Sequence, residues 1–190
     1  MAYKTRIITL ATFAAFSAVS FAQSNQSKIA VQGGLLYPLS SNTRDATKNT
    51  GFNLAIEYQL NTNLPGNGAN QTSIQLGFSR VGTGDDRIDT MNISAINRAP
   101  FQPYGNSNLY YGYGVGVFFH DSRQNVFVGG GSSGGGSFVV MSGRNTRIGF
   151  QALIGSKFGN NAFAEVGVRI VGDADGRNAN AATLNVGVRF

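Results

Sequence analysis

The chain lacks cysteine and tryptophan, and its 190 residues include one histidine and four prolines. Without cysteine, disulfides, thiolate metal sites and thiol redox chemistry are excluded. Charged residues make up 13% of the chain, which is low for the surface of a soluble domain of this size. The net charge of +6 comes from scattered Lys and Arg residues without a basic block, so nucleic acid is not predicted as a partner.

The first 22 residues predict a cleavable signal peptide. Lys4 and Arg6 precede an apolar segment over Ile7–Val19, which is too short to cross a bilayer as a helix. Ser20–Ala22 then supplies small residues at the positions that a signal peptidase reads. An N-terminal membrane anchor is the alternative. No later apolar run approaches 18 residues, so no transmembrane helix is predicted, and residues 23–190 are expected to form one domain.

Alternation of apolar and polar residues dominates the rest of the chain, and clusters of Gly, Asn, Asp, Ser and Pro interrupt it. This pattern predicts strands rather than helices. Most of the strands have the roughly 9–11 residues that a tilted strand needs to cross a bilayer. The eight predicted strands are Lys28–Tyr37, Gly51–Leu60, Thr72–Arg80, Arg87–Arg98, Leu109–Phe119, Thr146–Phe158, Ala162–Val171 and Thr183–Phe190.

Charge segregates between the two faces of these strands. One face is apolar and uncharged apart from Arg80 and Asp89, which lie beside a turn. A Lys or Arg facing lipid near the midplane costs roughly 2–4 kcal/mol, so this segregation predicts an eight-stranded antiparallel up-and-down transmembrane β-barrel. A soluble lipocalin-like barrel or sandwich is the alternative, but its polar face would carry more charge. The charges of the opposite face are Lys28, Glu57, Arg98, Arg147, Lys157, Glu165, Arg169 and Arg189.

The connections predict an orientation. Outer-membrane barrels have short periplasmic turns and longer external loops. With Phe190 at the periplasmic end, Gly159–Asn161 is an inner turn and Asp121–Asn145 is the longest external loop. Its apolar arms, Val126–Val128 and Phe138–Met141, predict that the fifth and sixth strands extend beyond the membrane as a hairpin and offer a strand edge to an extracellular ligand. Two features fit this orientation poorly, namely long inner connections (Asn61–Gln71, Ala99–Asn108) and a short external one (Val81–Asp86).

The second half of the chain, residues 101–190, resembles the small eight-stranded outer-membrane barrels of the OmpA/OmpX/OmpW type. The resemblance rests on the Gly-x-Gly-x-Gly pattern within Tyr111–Phe119, on Gly149–Gly155, and on the final Asn185–Phe190. It implies a location in the bacterial outer membrane, contact with outer-membrane lipid including lipopolysaccharide, and a structural or surface-interaction role. In that family the barrel-assembly machinery reads the last strand, which here implies a signal of Leu184, Val186, Val188 and Phe190.

Enzymatic activity is not predicted, although one pair of residues supports an alternative. His120 and Ser122 resemble the His-x-Ser pair of lipid A deacylases, which are hydrolases on the same barrel. A hydroxyl nucleophile needs a base and an orienting acid, but the nearby Asp121 points to the opposite face. A conduit for small apolar solutes is a further alternative.

No metal or cofactor is predicted. Asp173–Asn178 resembles the start of a calcium loop, but Leu184 stands where the bidentate Glu is needed. Gly129–Gly136 lacks the Gly-Lys-Ser/Thr of a phosphate loop and predicts a flexible connection instead.

The inward charges predict a plug in the barrel lumen. Buried charges need partners, so Glu57, Arg98, Glu165 and Arg169 are expected to pair with one another. An ion path through the many inward glycines is the alternative.

Overall fold

The computed structural model describes residues 28–47, 50–60, 70–101, 108–128, 137–159, 161–174 and 177–190. Eight antiparallel strands close into a barrel, and each strand pairs with its neighbours in the chain. The predicted all-β up-and-down fold is therefore confirmed. The predicted signal peptide lies outside the described residues. Within them, no helix combines the length and apolar character needed to cross a membrane.

The barrel strands follow the alternating segments of the sequence. A seven-residue helix over Ser41–Thr47 and a two-stranded hairpin of Asp173–Ala174 and Arg177–Asn178 lie between barrel strands. The bounds are β1 Ile29–Pro38, α1 Ser41–Thr47, β2 Gly51–Leu60, β3 Gln71–Thr83, β4 Asp86–Pro100, β5 Leu109–Val128, β6 Ser137–Phe158, β7 Ala162–Ile170, β8 Asp173–Ala174, β9 Arg177–Asn178 and β10 Ala181–Arg189.

The two faces of the wall divide as the alternation predicts. Large apolar side chains on the outside are exposed, and polar and small side chains of the opposite parity are buried in the lumen. Because side chains alternate along a strand, the residues immediately before and after a buried lumen residue point outward. The outer belt contains Leu35, Leu54, Ile56, Leu76, Met91, Ile93, Tyr113, Val115, Ile148, Phe150, Ile154, Val166, Leu184 and Val186.

We call the end of the barrel with the β6–β7 connection the inner mouth, and the opposite end the outer mouth. At the inner mouth the strands end close to the predicted positions. The connections predicted there over Asn61–Gln71 and Ala99–Asn108 lie mostly outside the described residues.

At the outer mouth the predicted loop over Asp121–Asn145 is wrong for most of its length. β5 continues to Val128 and β6 begins at Ser137, with Val128 paired to Ser137 at the top. The predicted hairpin extension is thus confirmed. It forms because the two apolar arms pair with each other, including an edge-to-face contact of the Phe127 and Phe138 rings. We call Gln124–Val128 together with Ser137–Met141 the projecting hairpin.

The closing strand lies between the first strand and the seventh. β10 pairs with β1 from Pro38↔Ala181 to Ala30↔Arg189, and with β7 on its other side. The Phe190 amide also donates to the Ile29 carbonyl at 2.7 Å. The predicted pairing of the tail with both strands is confirmed, which leaves the sheet without an open edge along the seam.

Two lumen glycines make room for aromatic rings. A Cβ built on Gly155 would lie 2.4 Å from the Tyr110 ring, and one on Gly187 would lie 2.3 Å from the Phe163 ring. Both distances are far inside van der Waals contact, so these positions exclude a side chain as long as the rings keep their places. The glycines of the polar face therefore allow tight filling of a narrow lumen.

Candidate functional site

Arg98 is the centre of a buried ion cluster near the inner mouth. Its Nη1 and Nη2 donate to Glu57 Oε1 and Oε2 at 2.7 and 2.8 Å, so the pair is bidentate. Its Nε donates to Glu165 Oε1 at 2.7 Å, and Nη2 reaches Oε2 at 3.3 Å. Both carboxylates are 2% exposed. One guanidinium thus holds together β2, β4 and β7, which are not neighbours in the sheet.

Two further lumen residues complete this cluster, and the sequence analysis did not single them out. Ser73 Oγ accepts from Arg98 Nη1 at 3.2 Å, and the Tyr110 hydroxyl donates to Glu165 Oε1 at 2.9 Å. Their inward parity is readable from the alternation, but their meeting with Arg98 depends on the register of strands across the lumen. Buried charges without such partners would be costly, so the cluster is a satisfied network.

Arg169, the fourth residue of the predicted network, lies outside this cluster. Both of its Nη atoms donate to Ser79 Oγ at 3.2 Å, and its guanidinium lies 5.5 Å from the centre of the Phe118 ring. It follows Glu165 by four positions on β7, or about 13 Å along a strand. Arg169 therefore occupies a separate layer nearer the outer mouth.

The outer mouth is covered by α1 and by the segment between β7 and β10. Thr43 Oγ1 of α1 donates to the Asn178 carbonyl at 2.9 Å, and the Leu39 amide donates to the Asn180 carbonyl at 2.9 Å. Below this cover lie two clusters of buried apolar residues, Leu36, Val81 and Ala181, and Phe118, Val171 and Ala179.

The lumen is filled in layers rather than open. A cavity of about 120 Å³ opens at the inner mouth, one of about 30 Å³ lies near the middle, and one of about 10 Å³ lies under α1. Arg169 borders the last two, beside the Phe118 ring. This filling gives no support to a conduit for solutes or to an ion path.

His120 and Ser122 both face the lumen side of β5 and are buried. His120 Nδ1 lies 2.9 Å from Thr90 Oγ1, and the ring stacks on Phe118. Ser122 Oγ donates weakly to the Gly143 carbonyl at 3.4 Å. Asp121 lies between them on the outer face, where Arg144 Nε contacts it at 3.4 Å. The arrangement therefore presents no nucleophile, base and acid together on the lipid-facing surface.

The calcium-like segment forms a small turn structure. Asp173 pairs with Asn178 in the β8–β9 hairpin, and residues 175–176 lie outside the described part. Across the described ranges, no group of three or more His, Cys, Asp or Glu side chains is placed to hold a metal ion.

A row of charged residues ends the apolar belt on the outside of the wall. Arg80 and Asp89 face each other across β3 and β4 and form an ion pair, and Asp121 and Arg144 continue the same row across β5 and β6. Phe78, one outward position lower, still belongs to the apolar belt. The row marks the end of the uncharged outer surface of the barrel wall.

The projecting hairpin has exposed apolar side chains and a free backbone edge. Phe138 is 73% exposed, and Phe127, Val139, Val140 and Met141 are also exposed. β7 pairs with β6 only from Phe150 onward, so β6 residues 137–149 pair with β5 alone among the described strands. The apolar arms of the sequence predict the hairpin, but the length of this one-sided edge follows from β7 ending at Ile170.

No protein-family model and no curated protein sequence matches the chain. Solved structures do match. The N-terminal β-barrel domain of Pseudomonas aeruginosa OprF superimposes with a TM-score of 0.58 at 13% identity, covering 87% of this chain and 98% of that one. The chain has the fold of the small eight-stranded outer-membrane barrels. The Yersinia pestis attachment invasion locus protein Ail matches with a TM-score of 0.53 at 14% identity, covering 87% and 99% of the two chains.

Proposed function

We propose that this chain is an integral outer-membrane β-barrel whose projecting hairpin binds an extracellular polypeptide. The fold is that of outer-membrane barrels, and the outer surface of the wall is an uncharged apolar belt below the row of Arg80, Asp89, Asp121 and Arg144. If the barrel were soluble, this large apolar surface would be exposed to water, which is unfavourable. In a bilayer the same surface contacts lipid chains. The barrel itself is the anchor, in contact with outer-membrane lipid including lipopolysaccharide.

The observation that carries the binding role is the one-sided edge of β6. An unpaired edge presents backbone N–H and C=O groups in a row and is a template for another strand, which soluble proteins usually protect. Here residues 137–149 combine such an edge with exposed Phe138, Val139, Val140 and Met141. The last pair between β4 and β5 is Arg87↔Arg123, so the hairpin rises about 17 Å along β5 above its neighbour.

The charge of this edge indicates the chemistry of the partner. Arg144 and Arg147 are exposed on β6, and the strand has no acidic residue from Ser137 to Phe158. An extended segment that alternates apolar and acidic residues would pair with the backbone and place its acidic side chains beside Arg144 on the outer face. Strand addition of this kind takes its affinity from main-chain hydrogen bonds and its specificity from alternate side chains.

Two deletions separate the edge from the tip. Removing residues 124–141 and joining the strands by an Asn-Gly turn should weaken binding strongly, because it removes the projecting hairpin with its exposed apolar side chains and leaves only residues 142–149 of the edge. Replacing residues 129–136 by a two-residue Asn-Gly turn should leave binding intact, because the paired strands and the edge remain. The probe is a fluorescent ten-residue peptide of alternating Val and Glu, and fluorescence anisotropy measures its binding to the barrel in detergent micelles.

A Val–Lys peptide of the same length is the matched control. We expect it to bind at least about tenfold more weakly, because its positive charges repel Arg144. Equal binding of both peptides, or full binding by the variant without residues 124–141, would refute the proposal. Heat-modifiable gel mobility shows in parallel that each variant still forms the barrel.

We further propose that the closing strand is the segment read by the barrel-assembly machinery. Support comes from the exposure of Leu184 and Val186 on the outer face and from the position of Phe190 at the seam. These residues and Val188 present one continuous apolar stripe at the end of the chain.

A further inference from the structure

The cavity at the inner mouth is lined by a set of hydrogen-bond donors, of which Arg98 alone forms an ion pair among the described residues. Its polar lining includes Gln71, Arg98, Lys157, Asn161 and Arg189. Its volume of about 120 Å³ is several times the share of one water molecule in the liquid, about 30 Å³. The cavity is thus large enough for a small charged group and its hydration.

Gln71 is the best-defined donor of this set. Arg189 Nη1 donates to Gln71 Oε1 at 2.9 Å, which fixes the orientation of the amide, since the oxygen must face the guanidinium. Nε2 of Gln71 then points the other way, is buried, and has no hydrogen-bond partner among the described residues. Buried donors in native proteins are nearly always satisfied, so an acceptor from outside the barrel wall is expected at this position.

The charges around the cavity favour an anion as that acceptor. Glu57 and Glu165 are turned to Arg98 and do not line the cavity. No carboxylate of the described residues lies within 4 Å of the side-chain nitrogens of Lys157 or Arg189. The positive charges of Arg98, Lys157 and Arg189 exceed the negative charges of Glu57 and Glu165, so these five side chains together have a net charge of +1.

The chain itself has few groups that could fill this role. The connections at the inner mouth, residues 61–70, 101–108 and 159–161, contain no Asp or Glu in their sequence. An acidic side chain from these connections therefore cannot neutralise Lys157 and Arg189. Neutral acceptors can reach Gln71, but they leave two cations near each other without compensation.

From this arrangement we propose that the inner mouth is a binding site for a small oxyanion, a carboxylate or a phosphate group. Its oxygens accept from Gln71 Nε2, from the free donors of Arg189 and from Lys157 Nζ. Charge-assisted hydrogen bonds of this kind are short and roughly twice as strong as neutral ones. In the proposed orientation the site faces the periplasm. That orientation rests on the proposed function, whereas the binding itself does not.

Nuclear magnetic resonance of the barrel in detergent micelles tests the site directly. The side-chain amide of Gln71 and the Nε–H of Arg189 are followed during titration with sodium acetate or with sodium phosphate. Sodium chloride keeps the ionic strength constant, because surface charge effects depend on it. We expect both signals to move and saturate together with at least one of the two anions. The arm that saturates identifies the preferred group.

Lys157→Gln and Lys28→Gln are a matched pair. Each removes one positive charge at the inner mouth, but Lys28 does not line the cavity. Lys157→Gln should weaken binding about tenfold, the loss of one charge-assisted contact at a partly open position, while Lys28→Gln should change it less than about twofold. Signals that fail to saturate with either anion, or equal weakening by both variants, would overturn the proposal. Neither outcome depends on the projecting hairpin.

Discussion

Replacing Arg98 by Gln should destabilise the barrel more than any change at its surface. The substitution removes the guanidinium that holds Glu57 and Glu165, and both carboxylates remain in a part of the lumen that is almost closed to water. Removing one partner of a buried ion pair costs about 3–5 kcal/mol. Since two carboxylates lose their partner here, we expect a loss of at least about 4 kcal/mol in the free energy of unfolding.

Urea unfolding in lipid vesicles, followed by heat-modifiable gel mobility, measures this loss. With a denaturant slope of about 2 kcal/mol per molar urea, the midpoint should fall by about 2 M. Adding Glu57→Gln and Glu165→Gln to Arg98→Gln removes the uncompensated charges and should recover most of the loss. The recovery separates buried charge from a simple loss of side-chain volume.

Arg144→Gln is the control for a surface arginine. Arg144 contacts Asp121 at 3.4 Å, but its side chain is 87% exposed, so the change should cost less than about 1 kcal/mol. If Arg98→Gln costs no more than Arg144→Gln, then the lumen is hydrated enough to solvate free carboxylates. In that case the ion cluster of Arg98, Glu57 and Glu165 would not be closed to water.

Two further predictions concern the wall and the seam. Ile93→Lys places a charge in the outer belt and should cost about 2–4 kcal/mol in vesicle refolding, whereas Asn97→Lys, nearer the inner mouth on the same face, should cost less. Deleting Phe190 should lower the fraction of folded barrel in membranes, measured by heat-modifiable mobility in cells, while refolding of the purified chain into detergent stays efficient. Equal loss in both settings would indicate a structural role at the seam instead of a signal.

The sequence predicted the barrel wall well because lipid imposes a simple rule on it. Outward positions of the belt are apolar in all eight barrel strands, so the alternation is readable one strand at a time. The extension of β5 and β6 was also readable, because two apolar arms flank the glycine tract.

The lumen was only partly predictable, since its contacts depend on how strands lie opposite one another across the barrel. Glu57, Arg98 and Glu165 come from three separate strands, and a shift of β7 by four positions would place Arg169 at the level that Glu165 now occupies. Single-strand alternation carries no information on that registration. It shows which side chains face inward but does not show which of them meet.

Helix α1 was missed for a different reason. Six of its seven residues are polar, and the single alanine forms no apolar stripe. The segment is held by contacts made far along the chain, through Thr43 and the Asn178 carbonyl, with Thr47 bonded back to Thr43. Short helices are marginal without tertiary support, so this element depends on its contacts with the segment between β7 and β10.

The seam between β1 and β10 has a consequence for biogenesis. Its partners, such as Ala30 and Arg189, come from opposite ends of the domain. Contacts of such long separation in sequence form late and slowly. The first strand therefore waits, with one edge unpaired and its apolar face uncovered, until the last strand has been synthesised and delivered. Until then β1 can pair only with β2, so the seam is the last part of the sheet to close.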